Sequence, residues 1–370
     1  MAWSQRKIEI ELKRKLADDF KHDPALADRY YSYYTKALST LISDDIFNSI
    51  RTIQRGLSDH GENHIMNVLD NAYELLVHRK YDNNQKLIAE EIEYVDGIQL
   101  YFICVLILFH DVGNLIADRK NHHQRDVIRQ IYNHVRNLEV EFDDEQILIP
   151  EIASKHSGIG LNGSKDTIAD LGLLPPHLFG VKIHTKKCAA LLRLADELAE
   201  GAHRTSVFMN QHHKYPYPPE SEIYHKYGEI TKINIDREHE RICVRYNFKV
   251  NIVNGKIEER ENQDFIKLFE FALTRMCKLE AERKYCRYYC ADWLSSFKRT
   301  HVTFNYFGEE VIDGIKNRKQ IVPNSRFLNE YFFDDLALPD SEPSTNFVNN
   351  HKEFEAQNVF SSIKLAFDEN

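Results

Sequence analysis

Apolar residues recur at helical spacing along the first part of the chain: Ile8, Leu12, Leu16 and Phe20, then Tyr30, Tyr33, Tyr34, Leu38, Leu41 and Ile42, then Ile46, Ile50 and Ile53. An apolar side chain every three or four positions falls on one helix face, so two or three helices packing on a core are expected over 8–53. Gly56, Ser58, Asp59 and Gly61 interrupt the pattern. His64, Val68, Leu69, Ala72, Leu75 and Leu76 then share the inner face of a further helix, with His64 near its start. Residues 86–94 read as another helix. The run Tyr101 to Phe109 has no polar face at all, which marks a helix buried on every side, and it ends abruptly in His110, Asp111 and Gly113.

Beyond Asn114, Asn121 is placed to cap a helix whose first turn holds His122 and His123. Protonated imidazole is disfavoured at a helix N-terminus, whereas neutral imidazole serving as a ligand is not. Ile147 to Ser154 reads as helix and stops at Lys155-His156-Ser157-Gly158; a loop rich in Gly, Asn and Pro follows, from Gly158 to Pro176. KCAALLRLADELAE, Lys187 to Glu200, is a strong helix that sets Asp196 among core-facing aliphatic residues, one turn from Arg193. After about Arg204 the pattern changes. His212 to Tyr227 is aromatic and irregular, ITKINID and RICVRYNFKV alternate as strands, and Asn254-Gly255 signals a hairpin. A long helix over Phe265 to Phe297 and a strand over His301 to Phe307 complete a small α+β region; from about Asp334 an acidic tail with Pro339 and Pro343 leads to a short docking helix, Phe354 to Phe367.

The 370 residues divide on this reading into N-terminal helices at 1–54, a helical core at 55–205, an α+β appendage at 206–333 and an acidic tail at 334–370. The fold class is mainly α with that appendage. Hydrophobic residues make up 42% of the chain, and the apolar run reads as too short and too soon interrupted to cross a bilayer. The charged, alternating N-terminus carries no secretory signal, so a cytoplasmic protein without a membrane partner is expected. The six cysteines form no CxxC pair and read as reduced core residues, with Cys286 and Cys290, one turn apart, as a secondary metal-site candidate. A net charge of -9 argues against a broad duplex nucleic-acid surface and is compatible with a small anionic substrate held locally. A homo-oligomer is left open.

A carboxylate carried into an apolar site must be paired or must bind a cation, so His110-Asp111 at the end of a buried helix reads as a metal-ligand pair. In chain order the candidates are His64, His110, Asp111, His122 or His123, His156 and Asp196, each at the end or on the inner face of an expected helix.

That ordered set resembles the HD superfamily of metal-dependent phosphohydrolases, and in particular its HD-CE-like group. NHIMNVLDNAYELL looks like the first-ligand helix, LILFHDVGN the His-Asp element and LLRLADELAE the final Asp helix, while HHQRD and KHSG sit where two-metal members carry further ligands. The resemblance covers about residues 55–205, and the HD-CE-like group would extend it over most of the chain. It implies an HD-type helical bundle holding one or two divalent ions (Mn, Fe, Mg or Zn), with Asp111 able to bridge them. His64, His110 and Asp196 would hold the first ion, and His122 or His123 with His156 the second. It implies a water made acidic by the metal that attacks phosphorus, and a nucleotide or cyclic-nucleotide phosphoester as substrate. Lys155, Arg193 and Arg204 are then candidates to clamp a phosphate, with a plain surface or salt-bridge role for each as the competing reading. Asn114 stands where cyclic-dinucleotide phosphodiesterases of the superfamily often have Lys, no GYP element follows, and the Glu-Asp helix pair of guanosine-tetraphosphate hydrolases is absent. Those two activities are therefore not assigned. The competing readings are an HD-type single-strand nuclease and a degenerate HD domain that binds a nucleotide and signals through the appendage.

Overall fold

A computed structural model describes residues 3–53, 60–117, 121–137, 143–156, 165–173, 177–205, 219–312, 315–333 and 343–369. The chain is mainly helical and divides into two compact units, Met1–Ala199 with Cys286–Ser295, and Glu200–Tyr285 with Ser296–Asn370.

In the first unit, α1 (Lys7–Asp19) buries Ile8, Leu12 and Leu16. α2 (Pro24–Ser43) starts at Asp23, whose side chain accepts the Leu26 N–H, and with α3 (Ile46–Ile53) it makes three helices where two or three are expected. α4 (Glu62–Leu76) follows. Residues 86–94, expected to be helical, instead form half of a hairpin, β1 (Val77–Tyr81) paired antiparallel with β2 (Leu87–Ile92). The reason lies in the turn and in charge. The Asp82 carboxylate accepts the Asn84 and Lys86 amides at 2.9 and 2.8 Å, and the facing strands pair Arg79 with Glu90 at 2.6 Å and Lys80 with Glu91 at 2.7 Å.

α5 (Gly97–Phe109) is buried along its whole length and is packed by α1, α2 and α4, and by α7 (Asp143–Ala153) and α8 (Thr185–Glu197). Being enclosed on all sides is why it has no polar face. Contrary to the length expectation, the stretch Gly97–Leu115 is long and apolar enough to cross a membrane by length and composition; it is 94% buried, as a core helix is. α6 (Arg125–Arg136) begins later than expected, with Gln124 at its N-cap, so His122 and His123 stand in the turn before it rather than in its first turn. Gly113 holds that turn in place, since a Cβ there would lie 1.8 Å from the His122 carbonyl oxygen. The two-residue strands β3 (His177–Leu178) and β4 (Val181–Lys182) precede α8.

One buried polar cluster ties α5, α6 and α7 together. Arg136 of α6 donates to Glu145 of α7 at 2.9 and 2.5 Å and to the Tyr101 hydroxyl of α5 at 3.0 Å. Tyr101 and Tyr132 each donate to Glu145 at 2.6 Å, and Arg136 also reaches the Tyr33 carbonyl at 2.6 Å. Every charge in the cluster has its partners, the condition on which buried ions are tolerated.

The second unit is a five-stranded sheet with helices on one face. α9 (Pro219–Ile230) occupies part of the segment expected to be irregular; 212–218 lie outside the described residues. β5 (Thr231–Asp236) pairs antiparallel with β6 (Arg241–Asn251), and β6 pairs parallel with β7 (Arg299–Ile312). A parallel pair needs a crossover, supplied here by α10 (Gln263–Tyr289). The long helix expected to reach Phe297 stops at Tyr289, and after Cys290 the short α11 (Ala291–Leu294) begins; the Arg287 guanidinium donates to the Leu294 and Ser295 carbonyls, which fixes the turn. β8 (Ile315–Ile321) and β9 (Glu330–Phe333), both unexpected, pair antiparallel with β7. Asn254 and Gly255, at φ 52° and 71°, close a turn over the single bridge Val253–Lys256 rather than joining two strands. Between α12 (Pro343–Asn350) and α13 (Ala356–Asp368) the turn Lys352–Phe354 packs Phe354 against Phe304 of β7, and Phe360 of α13 packs against Phe265 of α10. The turn signals at Gly56, Ser58 and Asp59, most of the loop from Gly158 to Pro176 and the acidic stretch 334–342 lie outside the described residues.

Candidate metal centre

The apolar run of α5 delivers His110 to its C-terminal cap and Asp111 to the residue after it, both buried. Four further segments of the first unit converge there. α4 brings His64, fully buried; the residue before its capping glycine, His60, comes with it; the turn held on Gly113 brings His122; the end of α7 brings His156; and the last turn of α8 brings Asp196.

Asp111 is shared between two groups of ligand atoms. Its Oδ2 lies 2.8 Å from His60 Nδ1, 3.5 Å from His64 Nε2 and 3.5 Å from His110 Nε2. Its Oδ1 lies 3.5 Å from His122 Nε2 and 3.6 Å from His156 Nε2. Asp196 Oδ1 faces the first group, 3.1 Å from His64 Nε2 and 3.8 Å from His110 Nε2. Three overlapping trios result, each with its ligand atoms within 4.8 Å of one another: His60, His64 and Asp111; His64, His110 and Asp196; Asp111, His122 and His156. Among the described residues no such trio contains a cysteine, so Cys286 and Cys290, both buried, are not drawn into a metal site.

The donors fit a divalent ion. His110 Nδ1 sits 2.8 Å from the Ile107 carbonyl oxygen and His156 Nδ1 2.5 Å from that of Ala153. A carbonyl oxygen can only accept, so each Nδ1 carries a proton, which leaves Nε2 as the inward-facing atom that can give its lone pair to an ion, as in metal-bound histidines. Both nitrogens of His64 and the Nε2 of His110 are buried without a well-formed hydrogen bond. Nitrogens desolvated in that way cost about 1–3 kcal/mol each unless something fills them. Imidazole with carboxylate suits Zn, Mn or Fe.

The electrostatics agree with a cation site. Burial pushes the Asp111 carboxyl up, yet His110, His60, His122 and His156 around it hold it well below the usual carboxylate range. Asp196 behaves alike, burial being outweighed by His110 and His64. Burial opposes a charged His110 ring, but Asp111 and Asp196 raise it to about 9. A metal entering at neutral pH must therefore displace a proton from His110. In the metal-free protein the same ring contributes stability that is complete below its ordinary value of about 6.5 and is lost as pH rises through about 9. Calorimetric titration with Zn or Mn at pH 7.5 in buffers of different ionisation enthalpy is expected to report at least one proton released per metal bound. Buffer-independent heats would contradict a protonated His110.

Of the residues the sequence singled out, His64, His110, Asp111, His122, His156 and Asp196 meet in this cluster, and the others do not join its trios. His123 packs edge-on against His122 at 5.3 Å, its pKa lowered by burial and by the neighbouring His122 and His156. Lys155 lies 3.6 Å from Glu151 and 3.8 Å from Asp170, while Arg193 donates to Thr167 Oγ1 at 3.0 Å. Arg204 belongs to the second unit, in the field of Glu200. Sequence reasoning missed His60. Its signal was the spacing to His64, four residues apart as on one helical turn, but Gly61 between them reads as a break.

The HD-CE family profile matches residues 54–275, more than half of the chain and every histidine and aspartate of the cluster. The chain belongs to the HD-CE family. The His-Asp cluster is accordingly the metal-site candidate of an HD-CE protein, and a metal-dependent hydrolase is the class of activity the family suggests. No curated protein and no solved structure matches the chain.

Proposed function

We propose that this HD-CE protein is a metal-dependent phosphohydrolase acting on a nucleotide or cyclic-nucleotide phosphoester, and that the helices around α5 form an HD-type bundle. The observation that carries the reading is the division of labour at Asp111, one carboxylate oxygen facing His60, His64 and His110, the other facing His122 and His156. His64, His110, Asp196 and Asp111 Oδ2 would hold one divalent ion, and His122, His156 and Asp111 Oδ1 a second.

Bound there, the ions would supply an acidified water and neutralise phosphate oxygens. The chain's own contribution is rigidity and dryness. The Ile107 and Ala153 carbonyls fix two imidazoles, and the burial of His64, His110 and Asp111 keeps bulk water from them, which strengthens the charge interactions they make.

Hydrolysis of a panel of nucleotides and cyclic nucleotides with Mn, Mg, Fe and Zn in turn, its products separated by chromatography so that ring opening is seen as well as phosphate release, tests the proposal; silence across the panel with every metal overturns it and leaves the degenerate, binding-only reading. Because His122 reaches Asp111 and His123 does not join a trio, His122→Ala should lose activity by roughly 100-fold, the cost of removing a metal ligand or its support, and His123→Ala far less. Equal losses would mean that the turn has been misplaced.

A further inference from the structure

We propose that the outer face of the sheet in the second unit binds single-stranded nucleic acid. Along β6 and β7 burial alternates strictly: Val244, Tyr246 and Phe248 with Val302, Phe304 and Tyr306 point to α10, and the residues between them point outward. The outward rows are read from register. Lys232 of β5 stands directly opposite Arg245 of β6, and Arg245 is level with Thr303 of β7.

Both Lys232 and Arg245 are exposed, and among the described residues neither has a carboxylate partner. Like charges facing each other across two strands destabilise a sheet, a cost that an anion lying over the pair would reverse. The carboxylates of the same face are already engaged. Asp236 takes Arg241 at 3.0 Å, Glu309 takes Lys249 at 3.4 Å, and Glu330 takes His301 at 2.6 Å and Arg326 at 3.8 Å. The face therefore shows unmatched positive charge in a chain whose net charge is -9.

The same face carries flat ring surfaces. His301 and Phe332 stack at 4.3 Å with their planes 4° apart, and Phe332 is 40% exposed. The Arg318 guanidinium lies 3.7 Å from the Phe307 ring centroid. Cations that track phosphates beside rings on which bases stack are the two components of single-strand recognition. A duplex keeps its bases stacked on one another and offers Phe332 no free base face, and the carboxylate side chains of an acidic peptide offer no ring to stack on it.

The test is fluorescence anisotropy on the full chain with a labelled single-stranded oligonucleotide of about 12 nucleotides, in EDTA so that binding is read apart from any hydrolysis. Its outcome is thus independent of the phosphohydrolase reading. The double variant Lys232→Ala/Arg245→Ala should weaken binding roughly tenfold and reduce the slope of log affinity against log salt by about 1.4, two phosphates at 0.7 each. Phe332→Ala should weaken binding with the salt slope unchanged. Circular dichroism establishes that the variants remain folded, since all three side chains are exposed. Absence of binding, binding unaffected by either variant, or equal or tighter binding of duplex DNA, heparin or an acidic peptide would overturn the assignment.

Discussion

Asp111→Asn is expected to lower phosphoester hydrolysis by about 1,000-fold or more, because one substitution removes the charge that both groups of imidazoles face. The amide keeps the volume of the carboxylate, and the bond from the Asn114 side chain to the Asp111 backbone carbonyl, 3.1 Å, does not depend on it. The fold should therefore persist while the metals leave. Melting curves give a readout that does not require turnover. Wild type should gain roughly 2.7 kcal/mol when free metal is 100-fold above its dissociation constant, and the variant much less. A folded Asp111→Asn protein with full hydrolysis, or with metal content equal to wild type, would sink the bridging assignment.

Glu145→Gln should destabilise the first unit by roughly 3–5 kcal/mol, the effect of leaving a buried charge without its counter-ion, here Arg136. Arg136 and Glu145 are both essentially sealed from solvent, and the cluster joins the three helices that carry or adjoin His110, His122 and His156. Loss of metal affinity should accompany the loss of stability. The double variant Arg136→Met/Glu145→Met separates two roles. If the ion pair serves only to fill space, the apolar pair should restore the melting temperature and metal content together. If its hydrogen bonds set the spacing of α5, α6 and α7, stability should return while metal content stays low. A single variant as stable as wild type would contradict the burial described above.

What was legible in the sequence follows from how local each signal is. The buried α5 and its abrupt polar end could be read directly, because an all-apolar helix and a bare His-Asp pair are both properties of one stretch. Asp196 was legible for a similar reason, a carboxylate among aliphatic residues in a strong helix. The hairpin at 77–92 was not read, since its cause is pairwise: Asp82 turning the chain so that Arg79 meets Glu90, a relation between positions that periodicity does not register. The start of α6 was misplaced for want of a long-range fact, the close approach of His122 to Gly113. β8 was missed because its exposed, charged run IKNRKQI has no buried face to alternate with. His60 was hidden by the glycine beside it.

The first unit is not contiguous in the chain. Its last ten residues, Cys286–Ser295, are separated from Ala199 by most of the second unit, and they carry α11 onto α4, the helix of His64. Lys187 pairs there with Asp292, and the Tyr289 hydroxyl donates to the Asp166 carboxylate at 2.7 Å. During synthesis, which adds roughly 5–20 residues per second, the ligand-bearing helices must wait for the sheet's crossover helix to be made before their own packing is complete. Maturation of the metal centre is in this sense timed by the other unit: a nascent chain ending at Ala199 holds every candidate ligand and still lacks part of the wall that supports them.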